Sequence, residues 1–130
     1  MKLNEFEKIK NMKYSPKEAL AYFILTIKYS QEKNINSLVA TLKEELVGNT
    51  NKSNLIDRVK WTSIQRITNY WSLSIEQVIA YGYVVFNSLI FEEKNFTEEQ
   101  VTDMFIYVMR LYSPDNAVEF ATNKLKKSTN

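Results

Sequence analysis

The side chains that could do chemistry in this chain are hydroxyls, lysines and carboxylates, because the sequence contains no histidine and no cysteine. Histidine is the usual base near neutral pH, and the cysteine thiolate is a common nucleophile and metal ligand. A serine or threonine nucleophile would need a lysine or tyrosine base, and no spacing singles out such a pair. With Gly48 and Gly82 as the only glycines, no glycine-rich phosphate loop can form. The sequence therefore predicts a protein that is not an enzyme and holds no cofactor.

Carboxylates occur as adjacent pairs at Glu44–Glu45, Glu92–Glu93 and Glu98–Glu99. Neighbouring residues on a helix point about 100° apart, so each pair is a poor chelate. No two acids separated by three or four residues share an apolar helix face, as the metal sites of helical bundles require. These pairs are expected to be solvated ends of helices and helix N-terminal charges, and no metal site is predicted.

Basic and aromatic residues alternate between positions 58 and 71. Exposed aromatic rings beside arginine are typical of protein–protein hot spots, and also of surfaces that stack single-stranded nucleic acid. Packing of Trp61 against a neighbouring helix is the plainer alternative. The predicted partner-binding residues are Arg58, Lys60, Trp61, Arg66, Tyr70 and Trp71.

Residues 64–83 loosely match a helix-turn-helix, in which a tight turn joins two helices and the second reads DNA bases. Ser72 stands where that turn usually has glycine, and Glu76 would repel the DNA backbone. Packing of two core helices explains the same pattern. In the DNA-binding alternative, the contact residues are Arg66, Ser72, Ser74 and Gln77.

Capping residues and the spacing of apolar residues predict that the chain folds into helices. Ser15, Ser74, Thr97 and Ser113 stand where N-caps are expected, and Pro16 and Pro114 follow two of them. Apolar residues recur at helical spacing after each cap. The predicted helices cover 16–32, 36–47, 54–70, 75–91, a stretch from the Thr97 cap to 112, and 114–127. The fold class is therefore all-α, a compact domain of five or six helices.

The helix predicted at 75–91 is apolar nearly all round, so we expect it to lie buried at the centre of the domain. Its β-branched residues over 78–86 would also suit a strand, and periodicity alone does not decide between the two. Gly82 inside the helix predicts a close crossing by another helix. If the core does not need its whole circumference, one face could dock a partner or form a dimer seam.

Length and composition fit one domain over 1–130, with fraying expected at 1–14 and 128–130 and a loop at 48–54. The formal charge of +2 is small for a dedicated nucleic-acid binder. Charged residues near Met1 argue against an export signal, and the apolar run from Val78 to Phe86 is too short to cross a membrane. The expected location is the cytoplasm.

These exclusions favour a small non-enzymatic protein that binds another protein, as a regulator, inhibitor or adaptor. The abundance of asparagine, lysine and isoleucine is typical of low-GC bacteria and their phages or mobile elements. The alternative is a DNA-binding transcriptional regulator that uses the 64–83 unit, as a homodimer that reads paired half-sites. Self-assembly into a structural protein is the third reading.

Overall fold

A computed structural model of the chain describes residues 10–48, 55–59, 61–69 and 71–128, and within this part the fold is all-α. The helices are α1 (Pro16–Tyr29), α2 (Ile35–Gly48), α3 (Trp61–Gln65), α4 (Ile75–Phe91), α5 (Glu98–Leu111) and α6 (Pro114–Ser128), with a 3₁₀ turn at Ile56–Arg58. Over these same stretches, the extended backbone forms one isolated bridge, between Tyr14 and Leu73. No described helix has the length and hydropathy needed to cross a membrane.

All four predicted N-caps are confirmed. The side-chain oxygen of each capping residue accepts a hydrogen bond from the backbone N–H three residues later, over 3.1 to 3.2 Å. Glu18 and Gln77 also accept from the backbone N–H of Ser15 and Ser74, which completes two capping boxes. Local sequence therefore determines where α1, α4, α5 and α6 begin, because these bonds satisfy amide groups that the helices leave unpaired.

The central position of α4 is confirmed, and residues 78–86 are helical. The helix packs against α2, α5 and α6, and most of its side chains are buried. A Cβ atom at Gly82 would lie 2.5 Å from Leu42 Cδ2 and 2.9 Å from Phe23 Cε1. The close crossing predicted at Gly82 is therefore present, and it brings in side chains from both α1 and α2.

Helix α1 is as deeply buried as α4, which the sequence pattern did not indicate. Every residue from Ala19 to Ile27 is buried. The segment 55–73 covers its outer side and runs antiparallel to it: Arg58 contacts Tyr29, Asn69 Oδ1 accepts from the backbone N–H of Lys17, and Leu73 pairs with Tyr14. Because this covering segment shields its outer side from solvent, α1 can lack a polar face.

The prediction of one continuous helix over 54–70 is wrong. The described part of this range contains a 3₁₀ turn, a bend at Val59, the five-residue α3, and non-helical backbone from Arg66 to Asn69. Residues such as Thr68 and Asn69 have modest helix propensity. The contacts with α1 compensate for the lost helical hydrogen bonds, so tertiary structure overrides the apolar periodicity.

Several predicted boundaries of helices and of the frayed terminal segments also need correction. Tyr14, expected to fray with the N-terminus, is only 1% exposed, because its backbone pairs with Leu73 and its ring packs edge-on against Tyr22. Helix α1 ends at Tyr29 rather than 32, because Lys33 Nζ donates to the carbonyl oxygens of Ile27 and Ser30 and closes the helix end. Helix α6 includes Ser128. Residues 1–9, 49–54, 129 and 130 lie outside the described residues.

Candidate functional site

Of the residues predicted as one partner-binding surface, the three whose side chains the structure describes contact different elements. Arg58 is exposed and lies 5.6 Å from the ring centre of Tyr29, to whose hydroxyl it donates a 3.1 Å hydrogen bond. Arg66 instead pairs with Asp103 on α5 at 2.5 Å. The two arginines therefore contact different helices, Arg58 the end of α1 and Arg66 α5.

Trp71 is half-buried and stacks on Tyr81 of α4, with ring centres 6.5 Å apart. This contact makes it part of the packing around α4. Lys60 and Tyr70 lie outside the described residues, and so does the side chain of Trp61. Arg58 beside the half-exposed Tyr29 is therefore the part of the predicted surface that retains hot-spot composition.

The helix-turn-helix prediction is wrong in its geometry. Nine residues, 66–74, separate α3 from α4, whereas the motif has a turn of about three or four residues. Ser74 caps α4, and Gln77 both accepts from the backbone of Ser74 and donates to Asp115 of α6 over 3.1 Å. Of the predicted DNA-contact residues, Ser74 thus caps α4 and Gln77 joins α4 to α6, while Ser72 is exposed in the covering segment.

Three tyrosine hydroxyls in the interior are unsuited to act as bases at neutral pH. Burial raises the pKa of Tyr14, and the nearby Glu18 carboxylate raises it further. Burial also raises the pKa of Tyr22 far above its ordinary range. Burial has the same effect on the pKa of Tyr81, which donates a 2.8 Å hydrogen bond to the carbonyl oxygen of Tyr112. These phenols serve packing and hydrogen bonding.

The paired carboxylates do not assemble into a metal centre in the part of the chain that the structure describes, where no three acids cluster suitably. The expectation of solvated pairs holds for Glu92 and Glu93, which are exposed. Glu98 stands at a helix N-terminus as expected, although its Oε2 atom is buried and accepts no hydrogen bond from a described residue. Glu98 is the first residue of α5, and the positive end of the helix dipole favours a negative charge there.

A groove of about 330 Å³ runs along α4 between α2 and α6. Residues of α4 form its floor at the helical spacing i, i+3, i+4 and i+7, and residues of α2 and α6 form its walls. The surface inside is mainly apolar, with one basic and one acidic residue at the edge. Its lining is Val39, Lys43, Glu76, Ile79, Ala80, Tyr83, Val118, Ala121 and Thr122.

The same face of α4 continues past the groove to the end of the helix. Ile90 follows Tyr83 by seven residues, and a helix turns 100° per residue, so the two share a face. Ile90 is 39% exposed and the adjacent Phe91 is 86% exposed. From Glu76 to Ile90 this face, which also carries Asn87, is about 21 Å long at 1.5 Å per residue.

Sequence reasoning did not identify the groove, although it left open that one face of 75–91 docks a partner. The spacing of Ile79, Ala80 and Tyr83 looks like ordinary core spacing. What opens the groove is the separation of α2 and α6, which no local pattern encodes. Comparison of the chain with protein-family models, with curated proteins and with solved structures found no match.

Proposed function

We propose that this protein is a non-catalytic binding protein, a regulator, inhibitor or adaptor, whose partner inserts an amphipathic helix into the groove between α2, α4 and α6. The observation that carries this proposal is the apolar groove along the otherwise buried helix α4. The lack of histidine and cysteine in the whole sequence supports a non-catalytic role.

The shape of the site favours a helix as the ligand. The floor is a straight helical face, and its exposed continuation at Ile90 and Phe91 makes the whole surface elongated. A helix of about 14 residues matches a length of about 21 Å. Helices that bind grooves do so through apolar residues at i, i+3 or i+4, and i+7. Small Ala80 and Ala121 leave room for such side chains.

The edge of the groove supports a preference in orientation. Lys43 on α2 is exposed, and so is Glu76 in the first turn of α4. A docked helix with an acid near Lys43 and a base near Glu76 would gain favourable pairing, and the reverse orientation would place like charges together. Such rim charges contribute more to orientation and association rate than to affinity.

Fluorescence polarisation with labelled peptides tests the proposal. The probe is a peptide of about 14 residues with leucines on one helical face, and a scrambled peptide of equal composition is the comparison. We expect the amphipathic peptide to bind and the scrambled one to bind at least about tenfold more weakly. Backbone amide NMR shifts should then change at Val39, Tyr83 and Val118.

Two matched variants locate the site. Val118→Lys places a charge on the half-buried wall of the groove, with its aliphatic stem able to lie along the wall. Asn116→Lys adds the same residue to the exposed side of α6. Val118→Lys should weaken peptide binding at least about tenfold, a hot-spot effect, and Asn116→Lys should not. Equal binding by both variants would contradict the proposal.

Salt-dependent binding of random duplex DNA, measured by gel shift, tests the DNA-binding alternative. Phosphate contacts give affinities that fall steeply with salt. Tight duplex binding at low salt, without binding of the amphipathic peptide, would overturn the groove proposal and favour the transcriptional regulator.

A further inference from the structure

The exposed large apolar side chains of the described residues concentrate on two features. Ile90 and Phe91 continue the floor of the groove, while Tyr107 and Leu111 lie one helical turn apart on the outer side of α5, 53% and 56% exposed. We call the pair Tyr107 and Leu111 the ridge. The remaining member of this group is Tyr29, which Arg58 covers in part.

The ridge has the form of the ligand that the groove requires. Its two apolar side chains project from a helix of 14 residues, α5, at the i, i+4 spacing of groove-binding helices. Hollows of about 310 Å³ lie beside both members, one lined by Glu92 and Met104 next to Tyr107, and one lined by Phe120 next to Leu111. Tyr107 and Leu111 are therefore accessible to a second molecule.

The charges near the two features are complementary as well. The groove edge carries Lys43 and Glu76. The ridge has Asp103 four residues before Tyr107 and Arg110 directly before Leu111. One orientation of a docked α5 places its Asp103 near Lys43 and its Arg110 near Glu76 of the other copy. Asp103 already pairs with Arg66 of its own chain. Arg110 with Glu76 is then the pair that selects the orientation.

We propose that the groove takes the ridge of a second copy of this chain, so that the protein self-associates head to tail. This inference rests on the proposed function, because it names the helix that the groove binds. The groove and the ridge share no residue, so a pair of copies in contact keeps one free groove on one copy and one free ridge on the other. Such a heterologous contact extends into a ring or an open chain of copies.

Sedimentation of the wild-type protein over a range of concentrations is the first test. We expect the average mass to rise with concentration and to pass that of a dimer. A protein that stays monomeric up to about 1 mM would overturn self-association. Since peptide binding is measured separately, that result would leave the proposed groove function standing, whereas failure of both measurements would remove the two together.

The decisive test uses two variants, one that disables the ridge and one that disables the groove. Tyr107→Lys combined with Leu111→Lys disables the ridge, and because both positions are more than half exposed the fold should tolerate the change. Val118→Lys disables the groove. Each variant alone should be monomeric at concentrations where the wild type associates, and their mixture should form one-to-one dimers and nothing larger.

This complementation separates the head-to-tail contact from other modes of association. A symmetric dimer through the groove alone would be unaffected by the ridge variant, and that result would contradict the proposal. Association that survives in both single variants would also contradict it. Gln31→Ala, an exposed substitution outside both features, serves as the control that should associate like the wild type.

Discussion

The α-carbon of Gly82 lies so close to Phe23 that a Cβ atom there would stand 2.9 Å from Cε1 of the ring. Phe23 is fully buried and packs edge-on against Phe86 and Phe105, with ring centres 5.8 and 5.0 Å away. Neighbouring aromatic rings therefore restrict its movement. The packing of Phe23 from α1 and Leu42 from α2 against α4 depends on the missing side chain at Gly82.

Gly82→Ala should destabilise the protein by about 1–3 kcal/mol, the usual cost of overpacking a core. On helix propensity alone the substitution would stabilise by about 1 kcal/mol, so the sign distinguishes crowding from propensity. Gly48→Ala is the control, because a Cβ at Gly48 would meet nothing within 4 Å. Urea unfolding of both variants measures the difference, and a stabilised Gly82→Ala protein would contradict the packing interpretation.

Tyr81→Phe should lower the free energy of unfolding by about 1 kcal/mol. The substitution keeps the ring, which stacks on Trp71 and packs against Phe105, but removes the hydrogen bond to the carbonyl oxygen of Tyr112. The net contribution of such a bond is about 0.5–1.5 kcal/mol. Tyr107→Phe is the exposed control. Equal unfolding midpoints in urea for the two variants would show that the buried bond adds nothing.

Stability should be lost as the pH rises above about 10, the value at which tyrosines of the unfolded chain ionise. Burial raises the pKa of Tyr14, Tyr22 and Tyr81 in the folded protein. The folded state then holds protons that the unfolded state releases, so the contribution is complete below the unfolded pKa and declines above it. Absorbance at the tyrosinate band and circular dichroism should change together for these three residues. Ionisation of all the tyrosines well before unfolding would contradict this expectation.

Glu93→Gly should stabilise the protein by up to about 1 kcal/mol. Glu93 has φ of 56°, a left-handed conformation that favours glycine. It ends α4 in a Schellman motif, in which the N–H of Lys94 donates to Leu89 and that of Glu93 to Ile90. Glu92→Gly removes the same charge at a residue with φ of −87° and should not stabilise. Thermal unfolding compares the two variants, and a lower melting temperature for Glu93→Gly would be the contrary result.

Much of the fold was predictable because its determinants are local. The caps at Ser15, Ser74, Thr97 and Ser113 are satisfied within three residues of sequence, so they act the same way in a peptide and in the folded chain. The buried, central position of α4 was predictable from its nearly continuous apolar composition. Gly82 predicted a close crossing, although not that Phe23 and Leu42 would be the residues that make it.

The helix predicted at 54–70 failed because that prediction used only the local spacing of apolar residues. A continuous helix there would have carried both Arg58 and Arg66. In the structure the backbone is spread along α1, and Arg66 finds Asp103, which is 37 residues distant in sequence. Contacts over that separation leave no trace in local periodicity.

The sequence alone determined that this protein is built from helices, where four of them begin, and that histidine and cysteine chemistry is absent from it. Tertiary structure decided which apolar faces stay covered. Ile79 and Tyr83 have the spacing of core residues, yet they line a groove because α2 and α6 stand apart, while α1 loses its solvent face because 55–73 lies across it. The physical reason is that caps depend on hydrogen bonds between near neighbours, whereas burial depends on which distant segments come to lie against each helix.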